Sequence, residues 1–309
     1  MPLRDLILAI SVPILWGVGF TLTKLGMEQF PPMLINGLRW SLTGLILVWW
    51  FPIPRKYLKK IILVSIVGCT IQYSLTFSGL NLIDASSAVL FVQCEVPFGV
   101  LIAYFYLKEK PPLKNIIGIF ISFIGLIILS GTPSLEGKFI GVILVLSGAF
   151  TWSLGQVFAK EVSENVNGVT LTAWIGILAG PQLILASQIF EGNVYNNIIS
   201  ANYQSWLIVL YLGILMNVLG YSIWYYVLGR YEVNKIISTM LLLPITGVLT
   251  AIIFLGERPD FNTYIGGLVI IIGVSLILLG KTNIKKTKYK SKIIPSGKLY
   301  SKKKPTLKS

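Results

Sequence analysis

The sequence predicts an all-α polytopic membrane protein, with ten transmembrane helices arranged as two inverted five-helix repeats. Three observations lead there. The chain of 309 residues is 54% hydrophobic and only 12% charged, about half the charged fraction of a soluble domain. Its apolar runs have membrane-spanning length. Its motifs also occur twice, in the same order. Trp16-Gly17-Val18-Gly19 with Lys24 returns as Trp152-Ser153-Leu154-Gly155 with Lys160, at a constant offset of 136. Leu107-Lys108-Glu109-Lys110-Pro111 returns as Leu255-Gly256-Glu257-Arg258-Pro259 at an offset of 148, which Gly118 with Gly266 and Gly125 with Gly273 preserve. A duplicated apolar unit of this size points to a secondary transporter built from two related halves.

A spanning helix needs roughly 20 mostly apolar residues. Ten segments qualify: 5–25, 33–51, 60–80, 85–107, 113–131, 138–159, 168–189, 204–227, 234–255 and 262–280. Turn-like or charged breaks separate them, such as Phe30-Pro31-Pro32, Phe51-Pro52-Ile53-Pro54-Arg55-Lys56, Lys110-Pro111-Pro112 and Gly131-Thr132-Pro133-Ser134. The longest break, Glu191 to Tyr203, reads as a polar Asn-rich loop and accounts for the rise in offset. The first span is too long for a signal-peptide core and no cleavage-like site follows it, so it is expected to be retained. Residues 1–135 form the first repeat, 136–280 the second, and 281–309 a Lys-rich tail expected to be disordered and cytoplasmic.

Lysine and arginine set the orientation. With the N-terminus inside, the cytoplasmic segments hold 22 Lys and Arg, the tail included, and the outer segments hold only Lys24, Lys138 and Arg258. Both termini are therefore expected on the cytoplasmic face of a cell membrane. Five spans per repeat is an odd number, so the second copy starts from the opposite face. The tail carries eleven Lys and no acidic residue, leaving only +3 of the formal +14 to the body. That run reads as a solvated segment beside anionic lipid rather than a nucleic-acid site.

Histidine is absent, which removes His-based acid–base catalysis and His metal ligation. No metal site, cofactor or catalytic residue is expected. Cys69 and Cys94 lie in apolar runs and read as small core residues. Glu95 is the sharpest single residue, about 15 Å into the fourth span by helical rise and so near the midplane. A charge there costs roughly 2.5–3.5 kcal/mol on insertion scales and should face the bundle interior. Three roles stay open for it: an ion pair with Arg39 of span two, a ligand for a substrate ammonium, or a proton-coupling group. Pro97 and Pro244 free the carbonyls of Gln93 and Met240 and kink spans four and nine. Trp16, Trp152, Tyr73, Phe77, Phe91, Tyr221 and Trp224 could wall a substrate path suited to an amphipathic or aromatic compound, with ordinary packing as the alternative. Glu95 shares a helical face with Phe91 and Phe98, while Gln93 points elsewhere. Lys24 and Lys160 read as snorkelling anchors at span ends, and Glu109 and Glu257 as caps or gate salt bridges.

Several of these motifs resemble the EamA-type drug/metabolite transporters. Leu15-Trp16-Gly17-Val18-Gly19-Phe20 is similar to that family's WG-x-x-F opening, Arg39-Trp40 to its Arg-aromatic pair, and Pro97 with Leu107-Lys108-Glu109 to its proline and terminal L-x-E. Pro244 with Leu255-Gly256-Glu257 repeats the last pattern. The second copy departs from it, with Ser153 in place of the glycine and no counterpart of Arg39. The resemblance covers roughly residues 5–280. It implies a ten-helix carrier of small metabolites, often amino acids or related amphipathic compounds and often outward. Membrane lipid is its surrounding partner, and a homodimer stays open. A flippase for a lipid-linked metabolite on the same fold is the nearest rival. An intramembrane enzyme lacks any HExxH, GxSxG or P-loop pattern, and no span has the continuous polar face of a channel.

Overall fold

The computed structural model describes residues 2–107, 111–231 and 238–279. Glu109 with Lys108 and Lys110, Lys235 and the Lys-rich tail lie outside the described residues. Among those described, ten long helical segments follow one another. α1 is Leu3–Gly26 and α2 is Pro32–Leu47, opening on a proline whose missing N–H costs nothing in a first turn. α3 is Arg55–Leu82. α4 has two pieces, Ala85–Val92 and Glu95–Leu107. α5 is Leu113–Ser130, α6 Phe139–Ser163 and α7 Gly168–Phe190. α8 is Tyr203–Arg230, α9 Thr239–Leu255 and α10 Phe261–Leu279.

Eight of these helices have the length and apolarity to cross a membrane, and α9 is a shorter apolar helix. α2 has 16 residues and stops before the sequence-predicted end at 51. The Pro52-Ile53-Pro54 run disfavours helical backbone ahead of it, so Trp49 and Trp50 turn outward and are 78% and 71% exposed. The Asn-rich segment between α7 and α8 also departs from the expected loop. It forms a seven-residue helix, Val194–Ser200, entered through Gly192 and Asn193 at positive φ.

The helices pair by repeat. α5 packs on α10 and α2 on α7; α3 packs on α6 as α8 does on α1, and α1 on α9 as α6 does on α4. Several of these seams need glycine because backbones touch. A Cβ on Gly155 would lie 2.4 Å from the Cα of Gly68, and one on Gly44 would lie 2.4 Å from the amide of Ile177. Such close approach substitutes packing for the hydrophobic drive that lipid does not supply. The outer surface is apolar, with Phe120, Ile127, Phe139, Ile140 and Phe190 all exposed, as a lipid-facing bundle requires.

Three backbone irregularities lie at mid-bundle. π-helical stretches occupy Ile66–Ile71 of α3 and Leu212–Tyr221 of α8, overlapping at the 148-residue offset. The third is the break in α4 at Gln93 and Cys94, one turn before Pro97. Pro97 cannot donate to Gln93, and the Gln93 carbonyl instead accepts from the amide of Val96 at 3.1 Å. Before Pro244, Ser238–Leu241 winds as 3₁₀-helix. Such irregularities are tolerated at membrane depth where protein or a cavity satisfies the freed groups.

Candidate functional site

The irregular segments converge on one central cavity. α1 presents Trp16 and Phe20, four residues apart on one face. α3, leaving its π stretch, presents Gln72, Tyr73, Thr76 and Phe77. The α4 break turns Val92 and Glu95 inward, α6 contributes Ala149 and Trp152, and Met216, Tyr221 and Leu243 close the wall. Both repeats therefore line it. Its volume is about 30 Å³, room for a water or two and far below the several hundred Å³ of a typical ligand pocket.

The wall is an aromatic stack. Trp16 lies 4.6 Å from Tyr221 between ring centroids, and Tyr73 and Phe77 stack at 5.2 Å, almost parallel. The hydroxyls of Tyr73 and Tyr221 meet at 2.5 Å. These residues are counterparts at the 148-residue offset, so the bond joins the two repeats where they face each other. Trp16 donates its indole N–H to the Met216 carbonyl at 3.3 Å, inside the π stretch of α8.

Of the residues singled out from sequence, Trp16, Tyr73, Phe77, Glu95, Trp152 and Tyr221 line the cavity, and Phe91 and Trp224 do not. Phe91 is wholly buried in the core. Trp224 stands one layer back, 5.6 Å from Trp16 and 6.0 Å from Trp152, donating to Gln156 Oε1 at 2.9 Å. Glu95 is 5% exposed. Among the described residues its carboxylate has no ion-pair partner and no hydrogen-bond donor. Its backbone is tied down instead, as Ser153 Oγ donates to the Glu95 carbonyl at 2.6 Å. Gly17, the counterpart of Ser153, packs on α9, where a Cβ would lie 2.0 Å from the Thr246 hydroxyl oxygen and 2.9 Å from the Gly247 amide. The substitution in the second repeat thus supplies the hydrogen bond that fixes the α4 break.

The Arg39–Glu95 ion pair considered from sequence is not formed. Arg39 is completely buried and stands outside the cavity lining, with its guanidinium 4.5 Å from the Tyr73 ring centroid and 5.1 Å from that of Phe77. Nη1 donates to Met216 Sδ at 3.1 Å, and Nε and Nη2 are unpartnered. The rings, rather than the carboxylate, receive its charge. Of the face expected to be shared by Glu95, Phe91 and Phe98, Glu95 and Phe98 stay in one helical piece, while the α4 break falls between Phe91 and Glu95.

Sequence reasoning missed Thr76 and Met216 as cavity residues. Gln72 donates to Thr76 Oγ1 at 3.0 Å and leaves its Oε1 unpartnered. Gln72 carried a signal, as a buried amide beside Tyr73. Met216 carried none, since nothing local marks a π stretch. The aromatic faces, Gln72 Oε1 and the Glu95 carboxylate make a site rich in acceptors, with no Lys or Arg in its lining. That chemistry suits a cation with an apolar body.

Known proteins bear on this geometry. A "Probable amino-acid metabolite efflux pump" of Escherichia coli (strain K12) is 26% identical over 91% of this chain and 96% of its own length. Its namesake in Salmonella typhimurium is 28% identical over the same shares. The "Uncharacterized transporter YvbV" of Bacillus subtilis (strain 168) is 30% identical over 89% of this chain and 91% of its own. A solved crystal structure superposes with a TM-score of 0.64 at 17% identity, over 89% of this chain and 96% of that one, which speaks to the fold alone. The EamA-like transporter family matches residues 3–131 and again 139–279. With two matched repeats, an apolar ten-helix bundle and a cavity between the repeats, the chain is a multi-pass membrane transporter and belongs to the EamA-like transporter family.

Proposed function

We propose that this transporter exports amino acids or related amphipathic amines across the cell membrane by alternating access between its inverted repeats. The observation that carries the reading is Glu95, an unpartnered carboxylate in an aromatic-walled cavity that both repeats line. A carboxylate left unpaired at mid-depth is costly, and a substrate ammonium offsets that cost when it binds. Gln72 Oε1 is a second acceptor for the same group, and the faces of Trp16, Tyr73, Phe77 and Trp152 take the apolar body. The names of the efflux pumps of Escherichia coli and Salmonella typhimurium support an amino-acid-type substrate. The small volume of the cavity supports a carrier, because an open pore would show continuous passage.

The test is counterflow in liposomes with a panel of labelled amino acids and small amines, comparing wild type with Glu95→Gln at two pH values. Saturable, trans-stimulated uptake that Glu95→Gln abolishes for amines at both pH values supports the ammonium-ligand role. If Glu95→Gln removes only the response to a pH gradient and spares exchange, Glu95 is instead a proton-coupling group. An absence of counterflow from folded protein for every compound would sink the metabolite-carrier reading in favour of a flippase.

A further inference from the structure

Lys24 and Lys160 make the same contact at opposite ends of the bundle. Lys24, in the last turn of α1, donates to the carbonyls of Leu80, Asn81 and Ile83 at 2.6, 3.0 and 3.0 Å. Lys160, in the last turn of α6, donates to the carbonyls of Leu228 and Tyr231 at 2.6 and 3.2 Å. Leu228 and Tyr231 are the 148-residue counterparts of Leu80 and Ile83, just as Lys160 is the 136-residue counterpart of Lys24. The contact is therefore part of the repeat, and inversion puts its two copies on opposite faces. The last carbonyls of a helix lack intrahelical partners and carry the negative end of its dipole. An ammonium with three N–H donors satisfies several of them at once. A snorkelling anchor would reach for water or lipid headgroups; these two lysines bend back onto protein.

Each contact fastens a helix tip to the first helix of its own repeat. On the Lys24 face the α3–α4 turn is held twice more. The Glu257 carboxylate, just beyond α9, accepts from the amides of Ala85 and Ser86 at 2.7 and 2.9 Å, and Asp84 lies 3.9 Å from Lys138 at the start of α6. On the Lys160 face the Tyr231 hydroxyl donates to the Asp5 carboxylate of α1. Both faces are fastened at once, and the cavity between them is too small for a metabolite.

We propose that Lys24 and Lys160 are alternate gate clasps. Each shuts one face of the bundle by pinning the end of α3 or α8, and the cycle releases one while the other holds. The proposal rests on the alternating-access reading above. It makes both lysines positioning residues for transport that touch no substrate.

The test places a reporter cysteine at Thr76, which lines the cavity, after replacing Cys69 and Cys94 with alanine. A membrane-impermeant maleimide is then applied to right-side-out and to inside-out vesicles. Lys24→Met should raise labelling severalfold from the Lys24 face only, and Lys160→Met from the opposite face only. Lys24→Arg, which keeps donors, should restore protection. If both variants expose the reporter on the same face, or neither does while size-exclusion shows folded protein, the clasps are wrong. Should Lys24→Met fail to fold, Glu257→Gln loosens the same face and must give the same sidedness. A parent protein labelled fully from both faces would overturn alternating access itself, an outcome separate from failure of the clasps.

Discussion

Arg39 and Glu95 are two ionisable side chains buried in the bundle core, and they do not pair with each other. For Arg39 the opposing terms are close. A mid-membrane cation costs roughly 2.5–3.5 kcal/mol on insertion scales, and each desolvated ring contact returns about 2 kcal/mol, with two rings within 5.1 Å. Arg39→Met keeps the packed volume and removes charge and stacking together, so it should change stability by less than about 1 kcal/mol. Arg39→Lys keeps the cost and loses the planar stack, and should unfold at a lower temperature than Arg39→Met in detergent. The reverse order would show that the charge itself holds the core. The Tyr73–Tyr221 hydroxyl pair makes a second test. Either Phe variant leaves one buried hydroxyl unpaired, at about 1–3 kcal/mol. The double variant should cost clearly less than the sum of the singles, and additivity in such a cycle would mean that the bond contributes nothing.

At the scale of elements, the bundle depends on where backbone may touch backbone. A side chain at Gly155 has nowhere to go, because its Cβ would press on the backbone of Gly68. Gly155→Leu should therefore separate α3 from α6 and abolish folded protein in size-exclusion chromatography. A Cβ at Gly99 meets nothing within 4 Å, and alanine is the better helix former by about 1 kcal/mol. Gly99→Ala should raise the unfolding temperature or leave it unchanged; a fall would mean that the second piece of α4 must bend at that residue. The broken α4 and the π stretches of α3 and α8 are the elements that turn Glu95, Tyr73 and Tyr221 inward. Only the break had a sequence signal, in Pro97. A π stretch differs from α-helix by one extra residue in a turn, and no residue type demands it.

For the whole molecule, the expectation still to be measured is direction. Cysteines at Lys59 and Gly137, labelled in vesicles of known sidedness, should react from opposite faces, with Lys59 on the cytoplasmic side because Lys and Arg concentrate there. Labelling of Lys59 from outside would invert the topology and reverse which clasp is the outer one. The fold was largely legible before any coordinates, because lipid imposes a simple rule: each backbone polar group must be satisfied within its own helix. Length and apolarity therefore mark most spans, and the repeated motifs mark their grouping. The site was half legible. Six of the eight candidate cavity residues line it, while Phe91 and Trp224 share the same aromatic character but fall one layer away, a distinction set by helix rotation.

By itself, then, the sequence determined an apolar ten-helix bundle made of two inverted copies of one unit, with a lone carboxylate at mid-depth. Those properties follow from composition, span length and repeat order, which are local or additive along the chain. Tertiary structure decided who partners whom: Arg39 with aromatic rings rather than Glu95, Lys24 and Lys160 with helix-end carbonyls rather than solvent, and Ser153 with the broken turn of α4. Each of these choices joins groups more than thirty residues apart in the chain. They are made by the rotation and close approach of packed helices, which one residue of π-helix is enough to change.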